Sequence, residues 1–437
     1  MKLIFHGGAQ EVGRSCIELK TNNGDQYLLD AGIKFKSHGY DYPKIIDDLT
    51  GLDGLFLSHA HLDHSGALPM LNHKKLLPTI FATGQTINII KILLKDSYKI
   101  ARIKHLHPAY EKRDVKKSVK KARIVQFDKE YDYKDLKFKF LNAGHIPGSA
   151  SILIETDGKK LLYTGDINNR KTNLMVPLDH SELAGKIDVL IMESTYGYRK
   201  LPVAKELGLE IIDEIKKVIK RGGSVIIPTF ALGRSQELLI NLNKLYEDPE
   251  FKKVPLYFDG MSKRITSLIL RNPPKYIQNI KKLSKMFYIK SKSVLTQKQR
   301  NNIASSATPK IILTTSGMVQ GGPVLHYIKH MWHNSKNAIF LVGYQCKHTN
   351  GRMLLEENSV YIQGWKTKVK CEVKKFSFSG HIARDEIFEY LSLMKPKTLI
   401  VQHGDPESVT AVCDWAKENL KNTKVYGPNV GDEIEIN

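Results

Sequence analysis

Residues 58–66 read S-H-A-H-L-D-H-S-G and gather three histidines and one aspartate within six positions: His59, His61, Asp63 and His64. Neighbouring imidazoles gain little from one another, and two protonated imidazoles repel, so a bound cation best explains the cluster. The preceding run L-F-L predicts a strand, and in an extended segment residues i and i+2 point the same way. His59 and His61 can therefore bind one ion, while the turn at Asp63 and His64 directs the next two groups toward a second position.

A catalytic metal keeps a coordination position open for water, so further ligands must come from elsewhere in the chain. Four more residues of ligand type follow predicted strands in glycine-bearing turns: Asp30 in Y-L-L-D-A-G, His145 in L-N-A-G-H, Asp166 in L-Y-T-G-D and His403 in V-Q-H-G. Each alone is as typical of a turn cap as of a ligand. Their repetition at strand ends favours a shared site. Imidazole and carboxylate groups without a thiolate favour zinc, with manganese or iron as alternatives.

The 437 residues exceed what one hydrophobic core usually serves, so two domains are expected. The four cysteines include no C-x-x-C pair, which argues against a disulfide framework and against a cysteine zinc site. The apolar run at the N-terminus is too short for a signal peptide, and no apolar stretch is long enough to span a bilayer. We therefore expect a cytoplasmic protein without membrane association.

The net charge is +22, and it is unevenly distributed. Residues 260–355 contain no Asp or Glu, yet they contain 16 Lys and Arg. A long segment without carboxylates keeps the local potential positive, which suits a polyanion such as RNA or DNA. Within it, Lys281, Lys282 and Lys285 form a compact cationic group on a predicted surface helix. A second basic run, at 112–123, is more typical of a solvated helix face.

Short strands dominate the first 190 residues, and helices alternate with strands after about residue 203. The predicted strands are 2–6, 15–20, 26–30, 54–58, 123–127, 137–141, 151–156, 160–164, 187–193, 224–228, 255–258, 310–314, 338–342, 369–374 and 397–401, followed by a final short strand. The predicted helices are 65–72, 86–103, 205–220, 234–246, 383–394 and 406–420. This pattern predicts an α/β fold whose second half contains a parallel sheet with covering helices.

Three further motifs follow the H-x-H-x-D-H cluster in chain order: Glu193 in M-E-S-T-Y-G, His381 in F-S-F-S-G-H and His403 in V-Q-H-G. The combination resembles the β-CASP branch of nucleases in the metallo-β-lactamase superfamily, over essentially the whole chain. The opening G-G-A-Q-E-V-G-R-S-C is more similar to the cleavage and polyadenylation specificity factor group and its archaeal homologues than to ribonuclease J. Because the chain starts directly with the first lactamase strand, we expect no N-terminal KH domains.

The resemblance implies a split architecture. Residues 1–200 and 376–437 would form a metallo-β-lactamase αββα sandwich. Residues 201–375 would form an inserted β-CASP domain that closes over the metal site. The acid-free segment lies almost wholly inside this insertion, so composition and resemblance both point to a lid that binds RNA.

The resemblance also implies roles for single residues. One zinc ion would be held by His59, His61 and His145, the second by Asp63, His64 and His403, and Asp166 would bridge the two. Besides the ligand Asp63, the residues expected to act in catalysis are Asp30, which would orient the attacking hydroxide, His381, the general acid, and Glu193, which would hold His381 protonated. Ser377, Ser379, Arg234 and Arg352 are the candidate contacts to RNA phosphates.

The predicted function is therefore zinc-dependent hydrolysis of RNA phosphodiester bonds, in RNA 3′-end processing or decay. Two alternatives remain at this point: a metallohydrolase of small esters or thioesters, and a non-catalytic RNA-binding scaffold. The insertion with its acid-free segment argues against the first, and the complete ligand set argues against the second. The sequence leaves open the choice between endonuclease and 5′-to-3′ exonuclease, RNA or single-stranded DNA as substrate, and the oligomeric state, with a homodimer as one candidate.

Overall fold

The computed structural model describes residues 1–36, 39–43, 49, 51–76, 78–106, 108–202, 204–346 and 348–437. Its strands are β1 (Lys2–Gly7), β2 (Cys16–Lys20), β3 (Gln26–Leu29), β4 (Lys34–Lys36), β5 (Gly39–Asp41), β6 (Gly54–Phe56), β7 (Thr79–Thr83), β8 (Ala122–Val125), β9 (Glu130–Tyr133), β10 (Leu136–Asn142), β11 (Ala150–Thr156), β12 (Lys159–Tyr163), β13 (Val189–Glu193), β14 (Val225–Pro228), β15 (Leu256–Asp259), β16 (Ser291–Ser293), β17 (Ile311–Thr314), β18 (Ala338–Leu341), β19 (Ser359–Ile362), β20 (Trp365–Lys368), β21 (Glu372–Lys375), β22 (Thr398–Gln402), β23 (Lys424–Tyr426) and β24 (Glu433–Glu435).

The α-helices are α1 (Leu62–Ser65), α2 (Leu68–His73), α3 (Gly84–Ile103), α4 (Lys112–Lys117), α5 (Ala204–Lys220), α6 (Arg234–Leu242), α7 (Ser262–Arg271), α8 (Ile280–Lys285), α9 (Gln297–Ser305), α10 (Pro323–Met331), α11 (Asn350–Glu357), α12 (Arg384–Met394) and α13 (Pro406–Asn419). Short 3₁₀ segments cover Ser181–Leu183, Leu245–Glu247 and Pro249–Phe251, and a π-helical turn covers Met286–Lys290. Among the described residues, no helix combines the length and apolar character needed to cross a lipid bilayer.

Two seven-stranded sheets face each other. The first has the order β24-β1-β2-β3-β6-β7-β8 and the second β23-β22-β13-β12-β11-β10-β9. Alternate residues of both sheets enter one core, because side chains two apart on a strand share a face. Phe56 of β6 contacts Phe138 of β10 across the core, with ring centroids 5.0 Å apart. This sheet-on-sheet core is one half of the predicted αββα sandwich.

Helices cover the outer faces of both sheets. α2 and α3 pack against the first sheet, where Leu28, Leu55 and Ile80 turn outward. α12 and α13 pack against the second sheet through a separate apolar cluster that includes Leu190 and Leu399. The layer order is therefore helix, sheet, sheet, helix, which confirms the predicted fold class.

A third sheet of six parallel strands, β16-β15-β17-β14-β18-β21, has helices on both faces. Its central strands β14, β17 and β18 are continuous apolar runs such as V-I-I-P at 225–228, all buried, as a parallel sheet covered on both sides requires. This six-stranded sheet and its helices form one body, the six-stranded body, which contacts the sandwich through the segment around residue 174. Leu174 accepts the Gln278 N–H at 2.7 Å, and Glu237 accepts the Asn173 and Leu174 N–H groups at 2.9 and 2.8 Å.

The last part of the chain returns to the two facing sheets. β22 pairs in parallel with β13 and β23, and β24 pairs antiparallel with β1. As a result, the loop after β22 lies beside the loops after β3, β6 and β12. Together with the loop between β10 and β11, which carries His145, these loops carry the residues of ligand type discussed above.

The structure differs from the sequence prediction in several local elements. The single helix predicted over 65–72 is two short helices, because Pro69 near the start of α2 cannot donate a backbone hydrogen bond and Gly66 packs tightly against Ile33. The helix predicted over 234–246 ends at Leu242 and continues as a 3₁₀ turn. The prediction treated α4 and α8 only as surface helices without stated bounds, and it omitted α7, α9, α10 and α11, the strands β4, β5, β7, β9, β16, β19 and β20, and one of β23 and β24.

Candidate metal centre

The ligand-type side chains converge because their loops leave the sheets at neighbouring strand ends. Asp30 follows β3 directly, and His403 follows β22 directly. Both adopt positive φ values, 62° and 50°, which non-glycine residues seldom adopt and which cost roughly 1–2 kcal/mol. Backbone strain of this kind concentrates at functional sites, where the surrounding contacts hold it. The turn geometry aims both side chains inward instead of along the strand.

Two glycines allow these loops to approach one another closely. A Cβ at Gly165, which has φ +56°, would lie 2.7 Å from the Ser58 side chain. A Cβ at Gly144, with φ +70°, would lie 2.1 Å from the Asn168 carbonyl oxygen. Both glycines immediately precede a ligand-type residue, Asp166 or His145. A larger residue would separate the loop after β6 from the loop after β12.

A first group of ligand atoms comprises His59, His61, His145 and Asp166, all within 4.8 Å of one another. His61 Nδ1 and His145 Nε2 lie 3.2 Å apart. Asp166 Oδ2 lies 3.4 Å from His59 Nε2 and 3.6 Å from His145 Nε2. The structure thus brings together the three histidines expected to share one ion and places one oxygen of Asp166 beside them.

A second group forms around the other oxygen of Asp166. Asp166 Oδ1 lies 3.2 Å from His64 Nε2 and 3.4 Å from His403 Nδ1. His64 Nε2 and His403 Nε2 are 3.2 Å apart, and Asp63 Oδ2 lies 3.7 Å from His403 Nε2. The two oxygens of one carboxylate therefore face two different sets of ligands.

The arrangement of these ligand atoms suits metal ions better than it suits hydrogen bonds among the side chains themselves. Both oxygens of Asp166 and Nε2 of His59 are buried without a hydrogen-bond partner among the described residues. A buried carboxylate without partners is costly unless a cation compensates it. Two nitrogen ligands of a tetrahedral zinc ion, each about 2 Å from the metal, lie roughly 3.3 Å apart, close to the spacings seen here.

The electrostatics prepare the same groups for a cation. Burial lowers the pKa of His59 and His145 well below the usual value and that of His61 to about 4. These imidazoles are therefore neutral at pH 7, as metal ligands must be. Burial would raise the pKa of Asp166, but the surrounding imidazoles, His64 foremost, hold it well below its usual range. Burial alone would lower the pKa of His64. The carboxylates of Asp166 and Asp30 outweigh burial and hold this pKa well above its usual value, because they make the electrostatic potential at His64 negative.

Hydrogen bonds orient the ligands from behind. His145 Nδ1–H donates to the Gly380 carbonyl oxygen at 2.6 Å, which leaves Nε2 facing the centre. His59 Nδ1 lies 3.0 Å from Ser58 Oγ, and His403 Nδ1 lies 3.3 Å from Thr195 Oγ1. Such contacts set the tautomer and orientation of ligating imidazoles.

Asp30 lies at the end of β3, as predicted, and contacts the ligand His64. Its carboxylate accepts hydrogen bonds from the Ser58 N–H, the Ser58 hydroxyl and the Tyr163 hydroxyl, each at 2.7 Å, and lies 2.7 Å from His64 Nδ1. The side chain is fully buried. These contacts hold the His64 ring, and the role of Asp30 in orienting the attacking hydroxide stays a prediction.

His381 lies at the edge of the ligand groups and pairs with Glu193. Its Nδ1–H donates to the Glu193 carboxylate, with Nδ1 2.9 Å from Oε2 and 3.1 Å from Oε1. Burial would lower the pKa of His381, but the carboxylates of Glu193 and Asp166 raise it to about 9. The side chain remains 21% exposed, whereas Glu193 is fully buried. A protonated imidazole next to the centre can therefore reach a bound substrate.

The four candidate phosphate contacts occupy different positions. Arg234 is buried and donates to the Ser379 carbonyl oxygen at 3.0 Å, and it lines a small cavity together with Ser377. The Ser379 hydroxyl accepts the His381 N–H at 2.9 Å, so it shapes the loop that carries His381. Arg352 lies on α11, where its Nε pairs with Glu356 at 2.6 Å. Arg234 and Ser379 thus adjoin His381, and Arg352 lies further along the six-stranded body.

The sequence prediction missed several residues that support this centre. Ser58 and Tyr163 hold Asp30, Thr195 contacts His403, and the Tyr196 ring lies 6.1 Å from that of His381. Their only signal in the sequence is that they flank the motif residues, as in S-H-A-H, Y-T-G-D and S-T-Y-G.

Three family models match successive parts of the chain. A metallo-beta-lactamase superfamily domain matches residues 19–195, a Beta-Casp domain matches residues 235–354, and a Zn-dependent metallo-hydrolase RNA specificity domain matches residues 366–428. The first and third regions contain every ligand-type residue described above. The second region overlaps the six-stranded sheet and the acid-free segment.

Similar proteins are known in archaea. The chain is 39% identical over 441 residues to Probable RNase MJ4 of Methanocaldococcus jannaschii, with 100% of both chains covered. It is 34% identical over 433 residues to RNase aCSPSF2 of Saccharolobus solfataricus, with 98% of this chain and 84% of that protein covered. Among solved structures, a protein of unknown function from Enterococcus faecalis V583 matches with a TM-score of 0.62 at 15% identity, covering 99% of each chain. This last likeness concerns the fold alone.

Proposed function

Because this chain belongs to the β-CASP branch of the metallo-β-lactamase superfamily, we propose that it is a zinc-dependent ribonuclease that hydrolyses RNA phosphodiester bonds in RNA 3′-end processing or decay. The observation that carries the proposal is Asp166, whose two oxygens face two separate groups of histidines and accept no hydrogen bond from the described residues. A carboxylate in this position is suited to bridging two cations.

In this proposal, His59, His61 and His145 would hold one zinc ion, Asp63, His64 and His403 would hold the other, and Asp166 would be shared by both. When bound, two zinc ions would make hydroxide available near neutral pH and neutralise the charge on a substrate phosphate. Asp30 fixes the orientation of His64, and the Gly380 carbonyl fixes that of His145. These supporting contacts keep the ligand nitrogens aimed at the centre.

His381 is the proposed general acid. Its Nδ1–H is held by Glu193, so Nε2–H is available to protonate the leaving 3′ oxygen of the RNA. The raised pKa of about 9 keeps the ring protonated at neutral pH. Arg234 and Ser379 position the loop on which His381 lies, and we propose that Ser377 and Ser379 also contact the substrate phosphate.

We further propose that residues 1–200 and 376–437 form the catalytic sandwich and residues 201–375 the lid, in a cytoplasmic protein. Contacts between the two bodies support this arrangement. A Cβ at Gly233, which precedes α6, would lie 2.9 Å from the side chain of Ile146, the residue after His145. On the other side, the Tyr344 hydroxyl donates to Asp405 at 3.2 Å, two residues after His403. The lid therefore borders the metal centre from both sides.

The proposal is tested with one RNA labelled at its 5′ end and one small thioester, each incubated with the protein and zinc at rising salt. Cleavage of the RNA that weakens steeply between low and physiological salt supports a nuclease that makes many phosphate contacts. Internal fragments would identify an endonuclease, and released mononucleotides a 5′-to-3′ exonuclease. Hydrolysis of the thioester without RNA cleavage would instead establish the small-ester alternative, and RNA binding without any turnover would establish the scaffold alternative.

The isolated protein is expected to carry two zinc ions per chain, because the ligand atoms divide into two groups that share Asp166. Elemental analysis of folded protein purified without chelator measures this directly. One ion, or none, would contradict the two-metal assignment.

Charge reversal of Lys281, Lys282 and Lys285 to Glu is expected to raise the apparent KM for RNA and to leave turnover at saturating RNA nearly unchanged. All three side chains are exposed on α8, away from the ligand residues. Each lost phosphate contact should reduce the slope of log affinity against log salt by roughly 0.7 for a single strand.

A matched control exists elsewhere on the surface. Lys116, Lys117 and Lys120 have the same spacing and are also exposed, but they lie on the sandwich, at α4 and just after it. Reversal of these three lysines changes the net charge equally and should leave KM at the parent value. Equal effects of the two triple variants would show that only the overall charge matters and that α8 does not bind RNA.

A further inference from the structure

The hairpin formed by β19 and β20 stands apart from the three large sheets. Its two strands pair only with each other, with Ile362 opposite Trp365 and Tyr361 opposite Lys366. The two turn residues, Gln363 and Gly364, have φ values of 52° and 87°. Positive φ at both positions of a two-residue turn is typical of a type I′ hairpin, whose twist matches that of its strands. The hairpin therefore has a defined shape.

The hairpin is anchored through Val360 and Ile362 and displays one aromatic ring on each face: Trp365 lies on the face of Ile362, and Tyr361 lies on the opposite face. Val360 is fully buried in the lid core, and Ile362 packs against the same cluster. By contrast, Tyr361 is 46% exposed and Trp365 is 78% exposed. Tryptophan is usually well buried because of its large apolar surface, and exposed indoles are common where a partner is bound. The exposed Trp365 thus points to a ligand with an apolar face.

Two lysines of the hairpin lie on the face that carries Tyr361. Residues 358–371 contain Lys366, Lys368 and Lys370 and no Asp or Glu. Lys366 and Lys368, two apart on β20, share a face, and the opposite strand adds Tyr361 to that face through its pairing with Lys366. All three lysines are exposed, although Lys366 also pairs with Glu357 at 2.6 Å. Aromatic rings interleaved with cations are the arrangement that binds single-stranded nucleic acid by base stacking and phosphate contact.

A succession of cations and aromatic rings connects His381 to the hairpin. The Arg199 N–H donates to the Tyr196 carbonyl oxygen at 3.0 Å, and the Tyr196 ring is 6.1 Å from that of His381. Burial lowers the pKa of Lys375, and the positive charges of Arg199 and Arg352 lower it further.

Arg352 lies on α11, whose first residue holds the hairpin. The Asn350 amide oxygen accepts the Tyr361 N–H at 3.0 Å, and its amide N–H donates to the Tyr361 carbonyl oxygen at 3.4 Å. Asn350 is buried, so this two-way contact fixes the hairpin relative to α11. RNA that leaves the metal centre along Arg199 and Arg352 would meet Tyr361 next.

We infer that the β19–β20 hairpin is an accessory platform for single-stranded RNA, on which Trp365 stacks with a base several nucleotides from the scissile phosphate while Tyr361 and the lysines of the opposite face contact neighbouring nucleotides. This inference rests on the proposed function, since RNA is the substrate there, and it adds a binding site outside the metal centre. The platform acts on binding of long RNA and takes no part in the chemistry.

Trp365→Ala is expected to raise KM for an RNA of about 16 nucleotides by roughly 5- to 100-fold, the effect of losing one stacked base. KM for a tetranucleotide and turnover at saturating RNA should stay at parent values. Trp365→Phe should restore most of the affinity, because it keeps an aromatic face. Leu295→Ala removes another exposed apolar side chain of the lid and serves as the control that should change nothing.

A binding measurement separates this inference from the proposed function. In zinc-loaded His381→Ala protein, tryptophan fluorescence is recorded as the same long RNA is added, with and without Trp365→Phe. Quenching that depends on Trp365 supports the platform even if the parent protein cleaves no RNA. RNA cleavage with an unchanged KM in Trp365→Ala would overturn the platform and leave the ribonuclease intact. A dimer that becomes a monomer in Trp365→Ala, with RNA binding unchanged, would overturn it in favour of a self-association surface.

Discussion

Asp166→Asn is expected to lower the bound zinc to one ion or fewer per chain and to reduce RNA cleavage by about 10³-fold or more, because metal-ion catalysis contributes several kcal/mol to transition-state stabilisation. The substitution keeps the shape of the side chain. It replaces one of the two carboxylate oxygens, which face His59 and His64 respectively, by an amide nitrogen that cannot ligate. One of the two ions would then lose its bridging ligand.

Metal content by elemental analysis and cleavage of labelled RNA are measured on the same preparations. Asp179→Asn is the matched control, because Asp179 is an exposed carboxylate that caps the nearby Ser181 backbone. It should keep both ions and the parent rate. Two retained ions in Asp166→Asn would remove the bridging role from Asp166, and with it the main support for a two-metal centre.

His381→Ala is expected to keep both zinc ions and the affinity for RNA while turnover falls by about 10²- to 10⁴-fold, the usual contribution of a general acid. The side chain contacts Glu193 and lies 3.8 Å from Asp166, so its removal leaves all seven proposed ligands in place. Single-turnover cleavage and RNA binding measure the two quantities separately.

Two comparisons sharpen this test. Cleavage of bis(p-nitrophenyl) phosphate, whose leaving group needs no proton, should suffer much less in His381→Ala than cleavage of RNA. Glu193→Gln, which keeps a hydrogen-bond partner for the ring but removes its charge, should give an intermediate loss. His333→Ala, an exposed histidine of the lid, is the control. Loss of zinc from His381→Ala, or RNA cleavage at the parent rate, would exclude the general-acid role.

The fold was largely accessible from the sequence because its strands carry local signals. Runs such as L-I-V-Q at 399–402 are apolar and end in a turn residue, so their ends could be located before their neighbours were known. The hairpin at 359–368 escaped prediction because its alternation is short and its burial depends on a distant core. The break between α1 and α2 was not predicted either, because it depends on a contact with a residue distant in the sequence: Gly66 packs against Ile33.

The candidate site was also predictable only in part. Its motif residues share a spacing and a position at strand ends, and a single sequence displays both. The residues that orient the motif residues share no such spacing or position. Tyr163 reaches Asp30 across 133 positions, and Thr195 reaches His403 across 208, so their position beside a motif is the only mark that the local sequence gives them. The contacts of Asp30 with Ser58 and Tyr163 could not be predicted for this reason, because these partners come from other parts of the chain.

The central claim, that water attacks phosphorus and the 3′ oxygen leaves, is tested most directly by cleaving RNA in water enriched in heavy oxygen and weighing the products by mass spectrometry. We expect fragments that end in a 3′-hydroxyl and begin with a 5′-phosphate containing one oxygen atom from the solvent, with no cleavage after zinc is chelated. Fragments that end in a 2′,3′-cyclic phosphate, or a 5′-phosphate without solvent oxygen, would contradict hydrolysis at this metal centre.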